Sequence, residues 1–283
     1  GSAIFLGTWG SALSPGLMFN PQVAQLAGED VMTVIASFSM QAIIGIVVAA
    51  ILLNIVAIVK KEHTGYVLKD ANEEEGKELD EKINVSGTKN IAEAAEAAGA
   101  TLVYISTDYV FDGTNTGEYA TDAETNPKNE YGRTKLAGEQ LVQSICSDYY
   151  IIRTSWVFGQ FGHNFVYTMR RLAETYPILT VVSDQVGRPT WTRTLAEFMV
   201  HVMETKPATG IYHLSNDNSC SWYEFACEIL KDFDVEVKPL TSEEYPQKAY
   251  RPKHSVMDLS NAKATGFAIP TWQEALASFV KNI

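Results

Sequence analysis

The stretch TLVYISTDYVFDG, residues 101–113, decides the fold of the region around it. Its first half, TLVYIS, is a short apolar run and predicts a buried parallel strand. The second half places Ser106, Thr107 and Asp108 at the carboxyl end of that strand. Because open α/β sheets bind ligands outside the carboxyl ends of their strands, these polar side chains are candidates for a binding site.

Helical and strand-like segments alternate on both sides of this stretch, over residues 70–283. Helices are predicted at 92–99, 130–145, 164–176, 192–205, 221–231 and 271–282, and strands at 101–106, 178–182 and 211–215, with another strand starting at Tyr149. This alternation predicts an α/β fold, in which helices cover both faces of a parallel sheet. From Thr192 onward the pattern predicts a smaller α+β portion.

Tyr131 and Lys135 lie four residues apart in a predicted helix, EYGRTKLAGEQLVQSI. Positions i and i+4 share one helix face, so the phenol and the ammonium can meet in one cleft. A nearby ammonium favours the phenolate, which suits a tyrosine to proton transfer near neutral pH. Such a spacing also arises by chance, and the alternative is a surface tyrosine beside a surface lysine.

Two further segments place polar or aromatic groups near predicted strand ends. RTSWVFG, residues 153–159, carries Trp156, which is either a ligand contact or a core aromatic side chain. DQVGRPTWT, residues 184–192, is predicted to be a loop, since Gly and Pro both favour turns.

Four motifs in this order resemble the extended short-chain dehydrogenase/reductases, and among them the dTDP-4-dehydrorhamnose reductases. They are STDYVFDG, YGRTK, IIRTSWVFG and DQVGRPT, and the resemblance runs from about Tyr66 to the C-terminus. It implies a Rossmann-type reductase core over residues 66–190 and a small substrate-binding portion over residues 191–283. It also implies reduction of dTDP-4-dehydro-L-rhamnose to dTDP-L-rhamnose with NADPH, or alternatively with NADH.

The resemblance also implies roles for individual residues. Tyr131 would give a proton to the C4 oxygen of the dTDP-sugar as hydride arrives from the reduced nicotinamide. Lys135 would bind the nicotinamide ribose and lower the pKa of Tyr131, and Thr107 would complete the triad and orient the keto oxygen. Asp108 and Trp156 match positions expected to contact the sugar nucleotide.

The first 65 residues depart from this family pattern. In AIFLGTWGSALSPG, residues 3–16, Gly7 and Gly10 match the start of the family's Gly-x-x-Gly-x-x-Gly loop, but Leu13 stands where the third glycine belongs. Pro15 interrupts the helix that should follow. The sequence therefore predicts an incomplete Rossmann-like sheet, whose N-terminal strands are atypical or missing.

Residues 31–59 carry no charged side chain, and a Lys-Lys pair follows them at residues 60–61. An apolar stretch of that length predicts a long apolar helix that spans a membrane, with the lysines on the cytoplasmic side. A buried central helix is the alternative. GTWGSALSPG, the uncharged stretch and the basic boundary are together similar to C4-dicarboxylate membrane carriers.

Composition narrows the class of partner. The formal net charge is −12, which argues against a nucleic-acid partner because phosphate binding needs clustered Lys and Arg. The three cysteines form neither a zinc pattern nor a disulfide framework, so no metal ligands are predicted and reduced thiols in a cytoplasmic chain are expected. Three functions stay open: a reductase, a non-catalytic sugar-nucleotide-binding or regulatory relative, and a membrane-tethered fusion or carrier fragment. The oligomeric state is also open.

Overall fold

The computed structural model describes residues 73–245 and 250–282. The predicted membrane helix at 31–59 and the Gly7–Gly10 stretch lie outside these residues. Among the helices of the described ranges, none is both long enough and apolar enough to cross a membrane.

The described part alternates helices and strands along the chain. The helices are α1 (Glu73–Asp80), α2 (Thr88–Ala97), α3 (Glu130–Ile145), α4 (Phe165–Ala173), α5 (Thr192–Thr205), α6 (Trp222–Ile229), α7 (Ser260–Ala264) and α8 (Trp272–Val280). The strands are β1 (Leu102–Thr107), β2 (Tyr149–Thr154), β3 (Val157–Phe158), β4 (Ile178–Val182), β5 (Val186–Gly187), β6 (Thr190–Trp191), β7 (Gly210–His213), β8 (Cys220–Ser221) and β9 (Glu236–Leu240). A π-helical segment, Glu81–Gly87, joins α1 to α2. The predicted bounds of α3, β4 and α5 agree with the structure.

Three parallel strands in the order β1-β2-β7 form the central sheet. Helix α5 covers one face, where Phe198 and Val202 pack on Tyr150 and Ile152. Helices α2 and α3 cover the other face, where the side chains of Ala92, Val142, Cys146 and Ile151 form a second buried cluster. The predicted α/β fold, with helices on both faces of a parallel sheet, is confirmed.

Strand β1 is less buried than its apolar sequence predicts. Its first four residues are only partly covered, and Ile105 is 40% exposed. Within the described residues β1 pairs with β2 alone, so one side of the strand has no described strand neighbour. The prediction of a fully buried strand was therefore wrong for its first four residues, while Ser106 and Thr107 at its carboxyl end are buried.

A second group of elements shares a separate, aromatic-rich core. Strands β4 and β9 pair in parallel, and helices α4, α6 and α8 contribute Val166, Phe225 and Phe279 to the cluster around them. Capping boxes fix the starts of α6, at Ser221, and α8, at Thr271. The chain passes between the two groups more than once, since β7 joins the central sheet. The division into portions at residue 190 stays a prediction.

Candidate active site

The carboxyl end of β1 turns directly into a polar cluster. Thr107 pairs in register with Thr154 of β2, and a 3₁₀ turn, Asp108–Val110, follows. The Thr107 hydroxyl accepts a hydrogen bond from the Tyr109 backbone N–H at 3.2 Å and donates one to Asp108 Oδ1 at 3.1 Å. Thr107 thus both caps the turn and fixes the orientation of the neighbouring carboxyl group.

Helix α3 begins beside this turn. The Asn129 side chain caps it by accepting a hydrogen bond from the Gly132 N–H at 2.8 Å. Gly132 lies so close to the Tyr109 carbonyl that a Cβ atom there would come within 2.2 Å of the oxygen. The contact is possible only for glycine, and it brings Tyr131 next to the 3₁₀ turn.

Tyr131 faces the same cluster. Its ring meets that of Tyr109 edge to face, with centroids 5.9 Å apart. Burial raises the pKa of Tyr131, a hydrogen bond with the Thr107 side chain lowers it, and the charge of Asp108 raises it. The side chain is nevertheless 44% exposed, so the phenol is accessible to a ligand.

Lys135 lies one turn further along α3 and reaches back to β1. Its Nζ donates a hydrogen bond to the Ile105 carbonyl oxygen at 2.7 Å and lies 4.1 Å from the centroid of the Tyr104 ring. Burial lowers the pKa of Lys135 to about 8, and the charge of Glu139 opposes that change. That Lys135 lowers the pKa of Tyr131 stays a prediction.

Asp108 is a buried carboxyl group with incomplete hydrogen bonding. It is 2% exposed, and its Oδ2 has no hydrogen-bond partner within the described residues. Burial raises its pKa to about 6, although the side chains of Ser255 and Thr107 act in the opposite direction. A buried polar atom of this kind is suited to a polar ligand group.

Trp156 lies in the second group of elements, where its indole stacks on that of Trp222 with centroids 3.7 Å apart. Its φ is 48°, a left-handed conformation that is costly for a bulky residue. Gly187 makes room for the ring, since a Cβ atom there would lie 2.6 Å from it. The packing of Trp156 thus matches the core-aromatic alternative, and its contact with substrate stays a prediction.

The DQVGRPT motif, predicted to be a loop, instead forms β5 and the start of β6, with Arg188 and Pro189 between them. Arg188, at the centre of the motif, is 5% exposed and forms ion pairs with Glu118 and with Asp217, the latter at 2.9 Å. Strand β5 pairs with β8 and strand β6 pairs with β3, so the segment connects two short sheets.

A cavity of about 570 Å³ lies near this cluster, and sequence reasoning missed the residues that line it. Its lining includes Arg251 and Lys253, with Tyr245 and Tyr250 as aromatic neighbours. The backbone of Tyr250 accepts a hydrogen bond from Asn129, the cap of α3, at 3.0 Å. In a chain of net charge −12, the closely spaced Arg251 and Lys253 were the feature of the sequence that could have indicated a site for an anionic ligand.

The 570 Å³ cavity lies near the predicted site residues at two places, beside Tyr109 and towards Trp222. Burial and Asp108 raise the pKa of Tyr109, and the charge of Arg251 lowers it, so Arg251 lies near the aromatic pair that includes Tyr131. A second cavity of about 330 Å³ shares Gln185, Tyr245 and Arg251 with the first and is also lined by Trp222. The contacts at the end of β1 thus bring four of the predicted site residues into one cluster: Thr107, Asp108, Tyr131 and Lys135. Trp156 lies apart from them, behind Trp222, which lines the second cavity. No cluster of three or more metal-binding side chains occurs among the described residues.

Comparison with known proteins identifies the family. The RmlD substrate binding domain family matches residues 54–283, so the match begins before Tyr66 and includes the end of the uncharged stretch. The spore coat polysaccharide biosynthesis protein SpsK of Bacillus subtilis (strain 168) is 44% identical over 210 residues, which cover 73% of this chain and 74% of that protein. The dTDP-4-dehydrorhamnose reductase of Escherichia coli (strain K12) is 35% identical over 219 residues, 73% of each chain.

Solved structures agree with this result. The dTDP-4-dehydrorhamnose reductase from Bacillus anthracis str. Ames, in complex with NADP, has a TM-score of 0.71 and 40% identity, covering 74% of this chain and 75% of that one. The Clostridium acetobutylicum reductase has a TM-score of 0.71 and 43% identity, covering 73% and 74%. The chain therefore belongs to the dTDP-4-dehydrorhamnose reductase family of NAD(P)H-dependent oxidoreductases.

Proposed function

We propose that this chain reduces dTDP-4-dehydro-L-rhamnose to dTDP-L-rhamnose with NADPH, and that NADH is the alternative reductant. The observation that carries the proposal is the convergence of Thr107, Tyr131 and Lys135 at the carboxyl end of β1 in a chain of this family. A cytoplasmic location for residues 66–283 is a prediction that accompanies it.

The described residues fit the nicotinamide end of such a cofactor. An ammonium has three N–H donors, and Lys135 gives one to the Ile105 carbonyl, so the others can bind ribose hydroxyls. Bound there, NADPH would supply the hydride for the carbonyl carbon. The pyrophosphate end would depend on residues 1–65, which lie outside the described ranges and lack the full glycine pattern.

Tyr131 is the proposed proton donor to the C4 oxygen. Burial raises its pKa, so the side chain is protonated at neutral pH, as a donor in the reductive direction must be. Thr107 lies beside the phenol and orients the keto oxygen. The single O–H of Thr107 donates to Asp108 Oδ1 at 3.1 Å in this structure, and in this proposal it turns to the keto oxygen when the substrate binds.

The basic cavity is the proposed site of the nucleotide. Its volume of about 570 Å³ suits a ligand of nucleoside-diphosphate size. Arg251 and Lys253 would bind the diphosphate, and Tyr245 and Tyr250 offer aromatic faces for the thymine ring. In this proposal Asp108 contacts the sugar through its unpaired oxygen, and Trp156 shapes the pocket from behind Trp222.

The test is NADPH oxidation by the purified full-length chain, followed by absorbance with dTDP-4-dehydro-L-rhamnose as substrate. Turnover that is lost in Tyr131→Phe and kept in Tyr176→Phe supports the proposal, since Tyr176 is a 52% exposed tyrosine that serves as the matched control. Wild-type protein that binds NADPH and the sugar nucleotide but does not turn over would contradict it.

A non-catalytic sugar-nucleotide-binding role is the second candidate, favoured by Leu13 and Pro15 in place of the family loop pattern. Calorimetry separates the two candidates. Binding of dTDP that Arg251→Ala weakens about tenfold or more, without any NADPH binding, supports this second role. Micromolar NADPH binding would exclude it.

A further inference from the structure

Glu139 continues the helix face that carries the proposed catalytic pair. It follows Lys135 by one turn of α3 and Tyr131 by two, a spacing that aligns the three side chains in one stripe. Unlike the other two it is fully buried, with 1% of its surface exposed. A carboxylate so deeply buried requires compensating partners.

The structure supplies those partners on both neighbouring strands. Arg153 of β2 donates two parallel hydrogen bonds to the carboxylate, from Nε to Oε1 at 2.9 Å and from a terminal nitrogen to Oε2 at 2.7 Å. The Ser106 hydroxyl of β1 donates to the same Oε1. Glu139 is therefore anchored to the strand residue that immediately precedes Thr107.

Arg153 extends this contact across the whole sheet. It pairs in register with Ser106 of β1 on one side and His213 of β7 on the other. Its remaining terminal nitrogen donates to the Thr121 carbonyl at 3.1 Å and lies 3.4 Å from His213 Nε2. Burial lowers the pKa of His213 to about 3, so this ring is neutral and adds no charge to the network.

The charged and titratable groups around Lys135 show how Glu139 affects the pKa of that lysine. Strand β1 presents Tyr104, whose pKa burial raises to about 12, and helix α3 presents Tyr131 and Glu139. Strands β2 and β7 present Arg153 and the neutral His213 behind Glu139. Asp80, at the end of α1, raises the pKa of Tyr131, and Glu81 of the π-helical segment forms an ion pair with Arg133. Glu139 is the anion that opposes the desolvation of Lys135.

We propose that Glu139 is a positioning residue of the reaction: clamped by Arg153 and Ser106, it holds this face of α3 against β1 and β2 and keeps the Lys135 ammonium charged. The inference rests on the proposed function, in which Lys135 binds the nicotinamide ribose as a cation. A purely structural account is weaker, because buried ion pairs are often replaceable by apolar side chains without loss of stability.

The experiment measures the protonation of Lys135 directly. Formaldehyde and cyanoborohydride methylate only unprotonated amines, so peptide mass spectrometry of the Lys135 peptide against pH gives a labelling midpoint. The full-length chain is compared with Glu139→Gln and with the double variant Glu139→Gln/Arg153→Met. The double variant leaves no uncompensated buried charge, so we expect it to keep the fold even where the single variant does not. Circular dichroism verifies the fold of each protein.

We expect the Lys135 midpoint to fall by about one pH unit in Glu139→Gln, which removes the anion and leaves the Arg153 cation. The fall should be smaller in the double variant, because that variant removes both charges. Glu197→Gln is the matched control, since it removes an exposed helical glutamate that pairs with Arg193, and its Lys135 midpoint should not move. An unchanged midpoint in folded Glu139→Gln, or in the double variant where the single variant does not fold, would overturn the inference.

This readout is independent of turnover. A shifted midpoint in a chain that never oxidises NADPH would leave the effect of Glu139 on the Lys135 ammonium intact and refute the reductase proposal. Where the chain is active, the alkaline fall of kcat/KM should move to lower pH by the same amount in the variants. An active enzyme whose alkaline limb stays in place would contradict the inference.

Discussion

Replacing Gly132 by alanine tests how α3 is seated against the 3₁₀ turn. The added Cβ would lie 2.2 Å from the Tyr109 carbonyl oxygen and 2.9 Å from the carbonyl carbon. Because non-bonded C···O contacts settle beyond about 3 Å, the first turn of α3 must move by about 1 Å. Neither atom belongs to a flexible side chain, so the backbone itself must shift.

The expected change in the free energy of unfolding follows from two opposing effects. Overpacking of a buried site costs about 1–3 kcal/mol, and the better helix propensity of alanine returns at most about 1 kcal/mol. We therefore expect Gly132→Ala to lower the free energy of unfolding by about 1–2 kcal/mol. That corresponds to a melting temperature lower by about 3–6 °C for a domain of this size.

Gly76→Ala is the matched control. Gly76 lies in helix α1, and a Cβ atom there would meet nothing within 4 Å. Without a clash the same substitution should raise the melting temperature by about 2–3 °C, because only the propensity gain remains. Thermal unfolding followed by circular dichroism measures both variants. If Gly132→Ala stabilises the protein as Gly76→Ala does, the close approach of α3 to the turn is refuted.

Three further predictions concern the site itself. Tyr131→Phe should reduce kcat/KM for the dTDP-sugar by about 100-fold or more, as expected for loss of a general acid, and activity retained within tenfold would exclude Tyr131 as the donor. Asp108 has a folded-state pKa of about 6, above its ordinary value of 3.8, so the stability that its proton provides is lost as pH rises from about 4 to 6. Urea unfolding should therefore show Asp108→Asn gaining up to about 3 kcal/mol relative to the wild type across that window, and a pH-independent difference would contradict the burial argument. Trp222→Leu should abolish the exciton signal of the stacked Trp156–Trp222 pair in circular dichroism, with Trp191→Phe, a tryptophan outside the stack, keeping it.

The sequence predicted secondary structure well wherever capping residues and a regular apolar pattern within one segment determine it. Helix α3 has a capping Asn129 and a continuous amphipathic pattern, and its predicted bounds agree with the structure. β1 differs because its burial depends on a strand neighbour on each side, and within the described residues only β2 lies beside it. Its sequence cannot report that, since apolar residues suit both a central strand and an edge strand.

The residues of the candidate site also fall into those that the sequence identified and those that it did not. Thr107, Tyr131 and Lys135 were identifiable because each stands at a short, fixed distance from a recognisable strand end or helix turn. Glu139 and Arg153 were missed, although Arg153 interrupts an otherwise apolar strand and Glu139 extends the i, i+4 series of α3. The clue to their pairing is a buried charge, and burial is not visible in a single sequence.

The sequence by itself determined the α/β class, the family motifs and the stripe on α3, because these depend on residue spacing along one segment. Only the tertiary structure decided that Glu139 meets Arg153 and Ser106, that Arg251 and Lys253 line a cavity, and that Trp156 packs on Trp222. Those contacts join residues far apart in the chain, so they depend on the register of strands and the packing of helices rather than on local pattern. In the stretch TLVYISTDYVFDG, the sequence predicted where the polar groups stand, and the fold determined which partners they meet.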